Sequence, residues 1–182
     1  FSQRIINSKI AIVGYGAIGG KIRKILSGFD PVFFIVDTII PDVKDPSCSY
    51  FLPKDVYKAI GKTNAVFICV PLLPSTNGLV NNIFFRNMKS NSILINWSRG
   101  EIVNEKDLYC ALKNDEIAAA GIDTWYNYPK LSSPVVKPSK LYDFSSLQNL
   151  IMSSHRAAFI EGELPHLDDV IININRVAVG KQ

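Results

Sequence analysis

Residues 14–19 read Gly14-Tyr15-Gly16-Ala17-Ile18-Gly19, a GxGxxG spacing that follows the apolar run 9–13 and opens a helical stretch, 17–27. A second apolar run ends in Asp37, 18 residues after Gly19. A strand, a glycine turn, a helix and an acid at this distance together bind a dinucleotide. Gly14 permits the tight turn, and Gly16 lets the backbone approach a pyrophosphate. Gly19 lets the helix pack close to the sheet, and the helix N-terminus offers free N–H groups and partial positive charge. Asp37 would accept hydrogen bonds from the adenosine ribose hydroxyls and would repel a 2′-phosphate. NAD(H) is therefore expected over NADP(H).

Such a turn needs a sheet to hold it. Strand-like runs fall at 9–13, 32–36, 65–70, 92–96, 117–122 and 150–153, most of them almost continuously apolar. That pattern suits parallel strands covered on both faces. Helical stretches lie between, at 17–27, 53–60, 80–87, 104–113 and a last one at 167–179. The stretch 104–113 opens with Asn104 as N-cap and places Leu108, Ala111 and Leu112 on one face. Strand alternating with helix predicts an α/β fold, a doubly wound (Rossmann) parallel sheet with helices on both faces. The segment 126–142, rich in Pro, Ser and Tyr, is expected as a loop at the carboxyl end of the sheet, where such folds bind ligands.

Composition sets the limits. The chain has 182 residues, 47% hydrophobic and 20% charged, which excludes disorder and a coiled coil for its bulk. A chain of this size buries roughly 70% of its unfolded surface and folds without disulfides or metal. The net charge of +4 suits an anionic ligand, but no basic run points to nucleic acid. No apolar run approaches the length of a membrane span. Cys48, Cys69 and Cys110 form neither a disulfide framework nor a zinc pattern. They are expected as reduced thiols in the cytoplasm, with Cys69 in a buried strand.

Four further pieces stand at strand ends: 69–76 (CVPLLPST), 88–104 (MKSNSILINWSRGEIVN), 120–123 (AGID) and 153–158 (SSHRAA). With these the chain resembles the D-isomer-specific 2-hydroxyacid dehydrogenase family, from about Ile6 to Gly180. The most specific piece is 88–104, with Asn-x-x-Arg-Gly after an apolar strand. The resemblance implies that Arg99 holds the carboxylate and carbonyl of a small 2-oxo or 2-hydroxy acid. It implies that His155 protonates the carbonyl oxygen as hydride arrives, and that Asp123 holds the nicotinamide carboxamide. Cofactor contacts fall on Ala17 and Ile18 in the turn. Val70, Pro71 and Thr76 line the nicotinamide ribose, and Trp97 and Ser98 flank the nicotinamide beside Arg99. The chemistry agrees: a guanidinium offers a permanently charged planar fork, and an imidazole titrates where a proton donor at neutral pH must.

One position departs from the family pattern. A glutamate that pairs with the catalytic histidine is expected five residues after Asp123, and Tyr128 stands there, before Pro129. A phenol can orient an imidazole by hydrogen bond but lacks the charge that favours imidazolium. His155 is then expected to titrate lower than beside a glutamate, with reduction peaking at lower pH. Glu161 and Glu163 are the nearby acids that could substitute. Leu73 replaces a usual Thr, and Arg156 a usual apolar residue.

The family also implies a smaller substrate-binding domain. The 182 residues are read as a single NAD-binding domain, with 1–8 and about 164–182 as connections to that second domain. The absence of an initial Met suggests an excerpt from a longer protein. A homodimer is implied by the resemblance, with no nucleic acid, membrane or metal partner. A second reading from another class is open: a catalytically weak or inactive NAD(H)-binding sensor or recruiting module. Arg99 and His155 favour the enzyme, and Tyr128 favours the module.

Overall fold

The computed structural model describes residues 5–42, 45–129, 136–139 and 141–156. Seven parallel strands form one sheet: β1 (Lys9–Val13), β2 (Val32–Val36), β3 (Cys48–Phe51), β4 (Ala65–Ile68), β5 (Ile93–Asn96), β6 (Ala119–Ile122) and β7 (Leu150–Met152). Their order is β3-β2-β1-β4-β5-β6-β7. The chain thus winds one way from β1 to β3 and the other way from β4 onward. A crevice opens at the β1/β4 switch point, the place where doubly wound sheets take ligands.

Burial follows from the side-chain alternation of the strands. On one face Ala11, Val13, Phe34, Val36, Val66, Ile68 and Leu94 are buried under α2 (Val56–Ile60), α3 (Asn82–Asn87) and α4 (Glu105–Lys113). On the other, Ile10, Ile12, Phe33 and Ile35 pack with Ile22 of α1 (Ala17–Leu26). With both faces covered, β1 and β2 read as unbroken apolar runs. The four-residue β5 and β6 alternate half-buried and buried positions, so one face there is less covered among the described residues.

The N-cap expected at Asn104 is present. The Asn104 side chain accepts from the Asp107 N–H at 3.1 Å and starts α4, whose Leu108, Ala111 and Leu112 are buried. Asn81 caps α3, accepting from the N–H groups of Ile83 and Phe84. Asp107 in turn accepts from the N–H of Asn82 at 2.8 Å, tying the starts of α3 and α4 together.

The differences from the sequence expectation are local. The edge strand β3 was not expected, because Cys48-Ser49-Tyr50-Phe51 is neither apolar throughout nor strictly alternating. It is half-buried and pairs with β2 alone. The run 53–60 divides into a 3-10 turn, Pro53–Asp55, and α2. Val80 makes a parallel bridge to Val103 instead of entering α3. Strand β4 ends at Ile68, so Cys69 sits just past it and is half-buried, where the sequence placed it in a buried strand. All three cysteines are free thiols. The expected helix at 167–179, and Glu161 and Glu163, lie outside the described residues.

Candidate functional site

The glycine turn is built by close backbone approach. Gly14 has φ +96° and its N–H donates to the Val36 carbonyl at 2.8 Å. A Cβ there would sit 2.7 Å from the carbonyl carbon of Cys69 and 2.8 Å from the nitrogen of Val70. Gly14 is thus the contact that lets the ends of β1 and β4 meet. A Cβ on Gly19 would fall on the carbonyl oxygen of Gly14 and against Ile12. Gly16 differs: its φ is −78°, and nothing lies within 4 Å of the Cβ it lacks. The space beside Gly16 is a cradle open to a ligand. It faces the first turn of α1, where no side chain caps the N–H groups and no acid stands. An unpartnered helix N-terminus without an acid attracts an anion such as a pyrophosphate.

Asp37 follows β2 and closes the turn. Its carboxylate accepts from the N–H of Tyr15 at 2.5 Å, from the N–H of Ile39 at 3.1 Å and from the hydroxyl of Thr38 at 3.2 Å. Burial works to raise its pKa, but these donors outweigh burial and hold the carboxyl below the usual aspartate value of 3.8. A cavity of about 470 Å³ joins Asp37, Gly14 and Gly16 to Val70, Pro71 and Thr76. The half-buried Cys69 lines it too, its thiol pushed up to about 12 by burial and therefore protonated at neutral pH.

A second cavity, about 460 Å³, lies beyond Gly16. Ala17, Ile18, Val70, Pro71, Trp97, Ser98 and Arg99 line it. The Asn-x-x-Arg-Gly turn that presents Arg99 is held by the buried Asn96. Its amide nitrogen donates to the Arg99 carbonyl at 2.9 Å, and its amide oxygen accepts from the Ser98 N–H at 3.1 Å. The Ser98 hydroxyl donates to the Ile68 carbonyl at 3.0 Å, anchoring the turn to β4. Gly100 is obligatory for packing, since a Cβ there would strike the carbonyl of Trp125. Arg99 itself is exposed, and its guanidinium donates to the Ser98 carbonyl at 2.7 Å. Trp97 stands 42% exposed beside it, edge-on to Phe67.

The third cavity, about 430 Å³, contains His155, Tyr128, Trp125, Ser153 and Arg156. His155 adopts φ +57°, unusual for any residue other than glycine. The segment around it is gripped by the buried Asp123, whose Oδ1 accepts from the Ser153 hydroxyl at 2.6 Å and from the Arg156 N–H at 2.9 Å. Tyr128 does meet the imidazole, but with its ring: the centroids are 5.3 Å apart at 51°. Its phenol oxygen accepts from the Trp125 N–H at 3.0 Å. The expected orienting hydrogen bond is thus replaced by ring contact.

Thr76 and His155 line other cavities than Arg99 does. Thr76 shares its cavity with Asp37, apart from the one holding Arg99 and Trp97. Its hydroxyl donates to the Pro71 carbonyl at 2.6 Å and accepts from the Leu73 N–H at 2.8 Å, closing that turn. Arg99 and His155, paired by resemblance, line different cavities. What joins them is Trp125, which the sequence reading passed over. Its signal was present only as an aromatic two residues after Asp123.

A parallel sheet of this order with a glycine turn at its switch point defines a Rossmann-type dinucleotide-binding domain. Residues 1–157 match the family described as D-isomer specific 2-hydroxyacid dehydrogenase, NAD binding domain. The chain belongs to this family, as its NAD-binding domain. It is 31% identical over 169 residues to the glyoxylate reductase/hydroxypyruvate reductase of Mus musculus, covering 86% of this chain and 51% of that one. It is 28% identical over 172 residues to a D-lactate dehydrogenase of Staphylococcus epidermidis, covering 91% and 51%. The crystal structure of D-lactate dehydrogenase with NAD+ from Lactobacillus jensenii superposes with a TM-score of 0.81 at 26% identity, over 100% of this chain and 56% of that one. The chain thus spans about half the length of the relatives it matches.

Proposed function

We propose that this chain is the cofactor-binding part of an oxidoreductase that moves a hydride between NAD(H) and C2 of a small 2-hydroxy or 2-oxo acid. The observation that carries the reading is the placement of Arg99 and His155 at the ends of β5 and β7, on the rim where the glycine turn opens. When bound, the nicotinamide supplies or accepts the hydride. Arg99 clamps the substrate carboxylate and stabilises the charge that develops on the carbonyl oxygen. His155 delivers the proton to that oxygen in reduction and removes it in oxidation. Asp123 orders the segment bearing His155 and holds the nicotinamide carboxamide. Gly14, Gly16 and Gly19 with Ala17 and Ile18 cradle the pyrophosphate, while Val70, Pro71 and Thr76 line the crevice beside them. Trp97 and Ser98 flank the nicotinamide.

Asp37 supports NAD(H) over NADP(H), because an ionised carboxylate at the end of β2 accepts from ribose hydroxyls and repels a 2′-phosphate. Exposed Arg99 and His155 leave the substrate side open. We read the 182 residues as one domain, with 1–8 and about 164–182 as connections to a substrate-binding domain. The reading includes a homodimer, by family resemblance, and a cytoplasmic location, from the three free thiols. Among the described residues no helix is long and apolar enough to cross a membrane.

The test is NADH fluorescence on the intact gene product, then a panel of glyoxylate, pyruvate, hydroxypyruvate and longer 2-oxo acids. Enhancement on mixing followed by decay with one acid, and a clear preference over NADPH, is the expected result. Enhancement with no decay for any acid would replace the enzyme with a binding module.

A further inference from the structure

We infer that Trp125 is a positioning residue for the proton donor His155, acting through its indole N–H. The inference rests on the dehydrogenase reading and deepens it. Trp125 is only 5% exposed, and three loops meet on it. Its indole Nε1–H donates to the Ser153 carbonyl at 2.8 Å, two residues before His155. Its backbone N–H holds the phenol oxygen of Tyr128, whose ring lies against the imidazole. Its carbonyl packs on Gly100, directly after Arg99. The indole itself is wedged edge-on against the buried Phe144, with centroids 5.6 Å apart.

His155 needs such a support. A left-handed backbone at a residue other than glycine is strained and persists only where its surroundings impose it. Asp123 imposes it through the Ser153 side chain and the Arg156 N–H, as described above. Those two bonds leave the peptide carbonyl of Ser153 to be oriented by something else, and the indole supplies the donor. Phenylalanine would fill the same place against Phe144 but would have no hydrogen to give. A donor displaced by about 1 Å can cost up to 10²-fold in rate, so a loosened His155 segment should be visible in turnover.

The experiment compares the intact gene product with Trp125→Phe, His155→Gln and the double variant, measuring NADH-dependent reduction of the 2-oxo acid the wild type turns over best. The expected result for Trp125→Phe is a kcat about tenfold lower, with KM and NADH affinity within twofold of wild type. In the His155→Gln background the same substitution should cost nothing further, because residues that act through one group are non-additive. An equal loss in both backgrounds, or a Trp125→Phe enzyme within twofold of wild type, would overturn the role. A wild type that oxidises no NADH with any acid overturns the dehydrogenase reading instead. The contact itself has its own readout. The chain holds two tryptophans, so a 15N-labelled wild type gives two indole signals. The Trp125 signal should move on the His155→Gln substitution, because the carbonyl it donates to lies two residues before that position. An indole signal indifferent to that substitution would overturn the inference whatever the activity, and needs no folded Trp125 variant.

Discussion

The two ends of the site are made of different material. At the β1/β4 switch point the geometry is backbone on backbone: Gly14 against Cys69 and Val70, and Gly19 against Gly14. At the ends of β5, β6 and β7 it is side chain on backbone: Asn96 on Arg99, Trp125 on Ser153, Asp123 on Arg156. The first kind of construction tolerates almost no change of residue, because a backbone cannot step aside. The second can be rebuilt with other side chains provided the donors and acceptors stay in place. A tyrosine in the place of the expected glutamate is found at the second end, where the structure has room to reorganise around it.

Substitutions in the turn should break this comparison most severely. Gly14→Ala forces a β-carbon onto the Cys69–Val70 peptide in a left-handed conformation. We expect backbone strain of about 1–3 kcal/mol and a similar cost from overpacking. Thermal unfolding should shift strongly and NADH binding should be lost. Gly16→Ala is the control, since its φ of −78° suits alanine and the added methyl meets no protein atom. Its stability should stay within about 0.5 kcal/mol, as for an unconstrained surface change, while NADH affinity falls because the methyl enters the cradle. Equal losses of stability at Gly14 and Gly16 would show that the turn is not built by backbone contact.

At the other end, Tyr128→Glu should produce a smaller and different effect. The substitution places a carboxylate where the phenol ring touches His155, and an anion beside an imidazole favours imidazolium. The pH–rate profile for reduction should extend to higher pH, the direction an opposite charge beside the proton donor produces. Stability should change little, since Tyr128 is 36% exposed. An unchanged profile would mean that the ring contact, and not the charge, is what His155 requires at this position.

How much of this was legible beforehand follows the same division. The glycine spacing, the strand ahead of it and Asp37 are local in sequence, and each names its physical reason, so the turn could be read directly. The family-specific run through Arg99 was equally plain, and Gly100 explains why glycine must follow the arginine. Contacts between distant loops were not legible. Nothing in 124–128 says that an indole will reach Ser153 or that the phenol oxygen of Tyr128 will serve Trp125. The edge strand β3 escaped for a related reason: its partner is β2, and its own four residues carry no clean period. That Thr76 lines the cavity of Asp37 and not that of Arg99 was not legible either, because order along a loop does not fix which cavity a side chain lines.

The smallest effect concerns charge at the cofactor end. The Asp37 carboxyl is held below its ordinary value by the N–H groups of Tyr15 and Ile39 and the Thr38 hydroxyl, against the opposing influence of burial. Because its folded pKa is the lower one, the stability it contributes is fully present above about pH 3.8 and is lost as the pH falls through the folded value. Asp37→Asn keeps an oxygen that can accept from the Tyr15 N–H but removes the charge. The melting-temperature difference between wild type and this variant should therefore be constant from pH 7 down to about 5 and shrink only in the acid range below 4. A difference for Asp37→Asn that persisted unchanged into acid would assign the anchoring of Tyr15 to the shape of the turn alone. The carboxylate's charge would then serve only to select the cofactor.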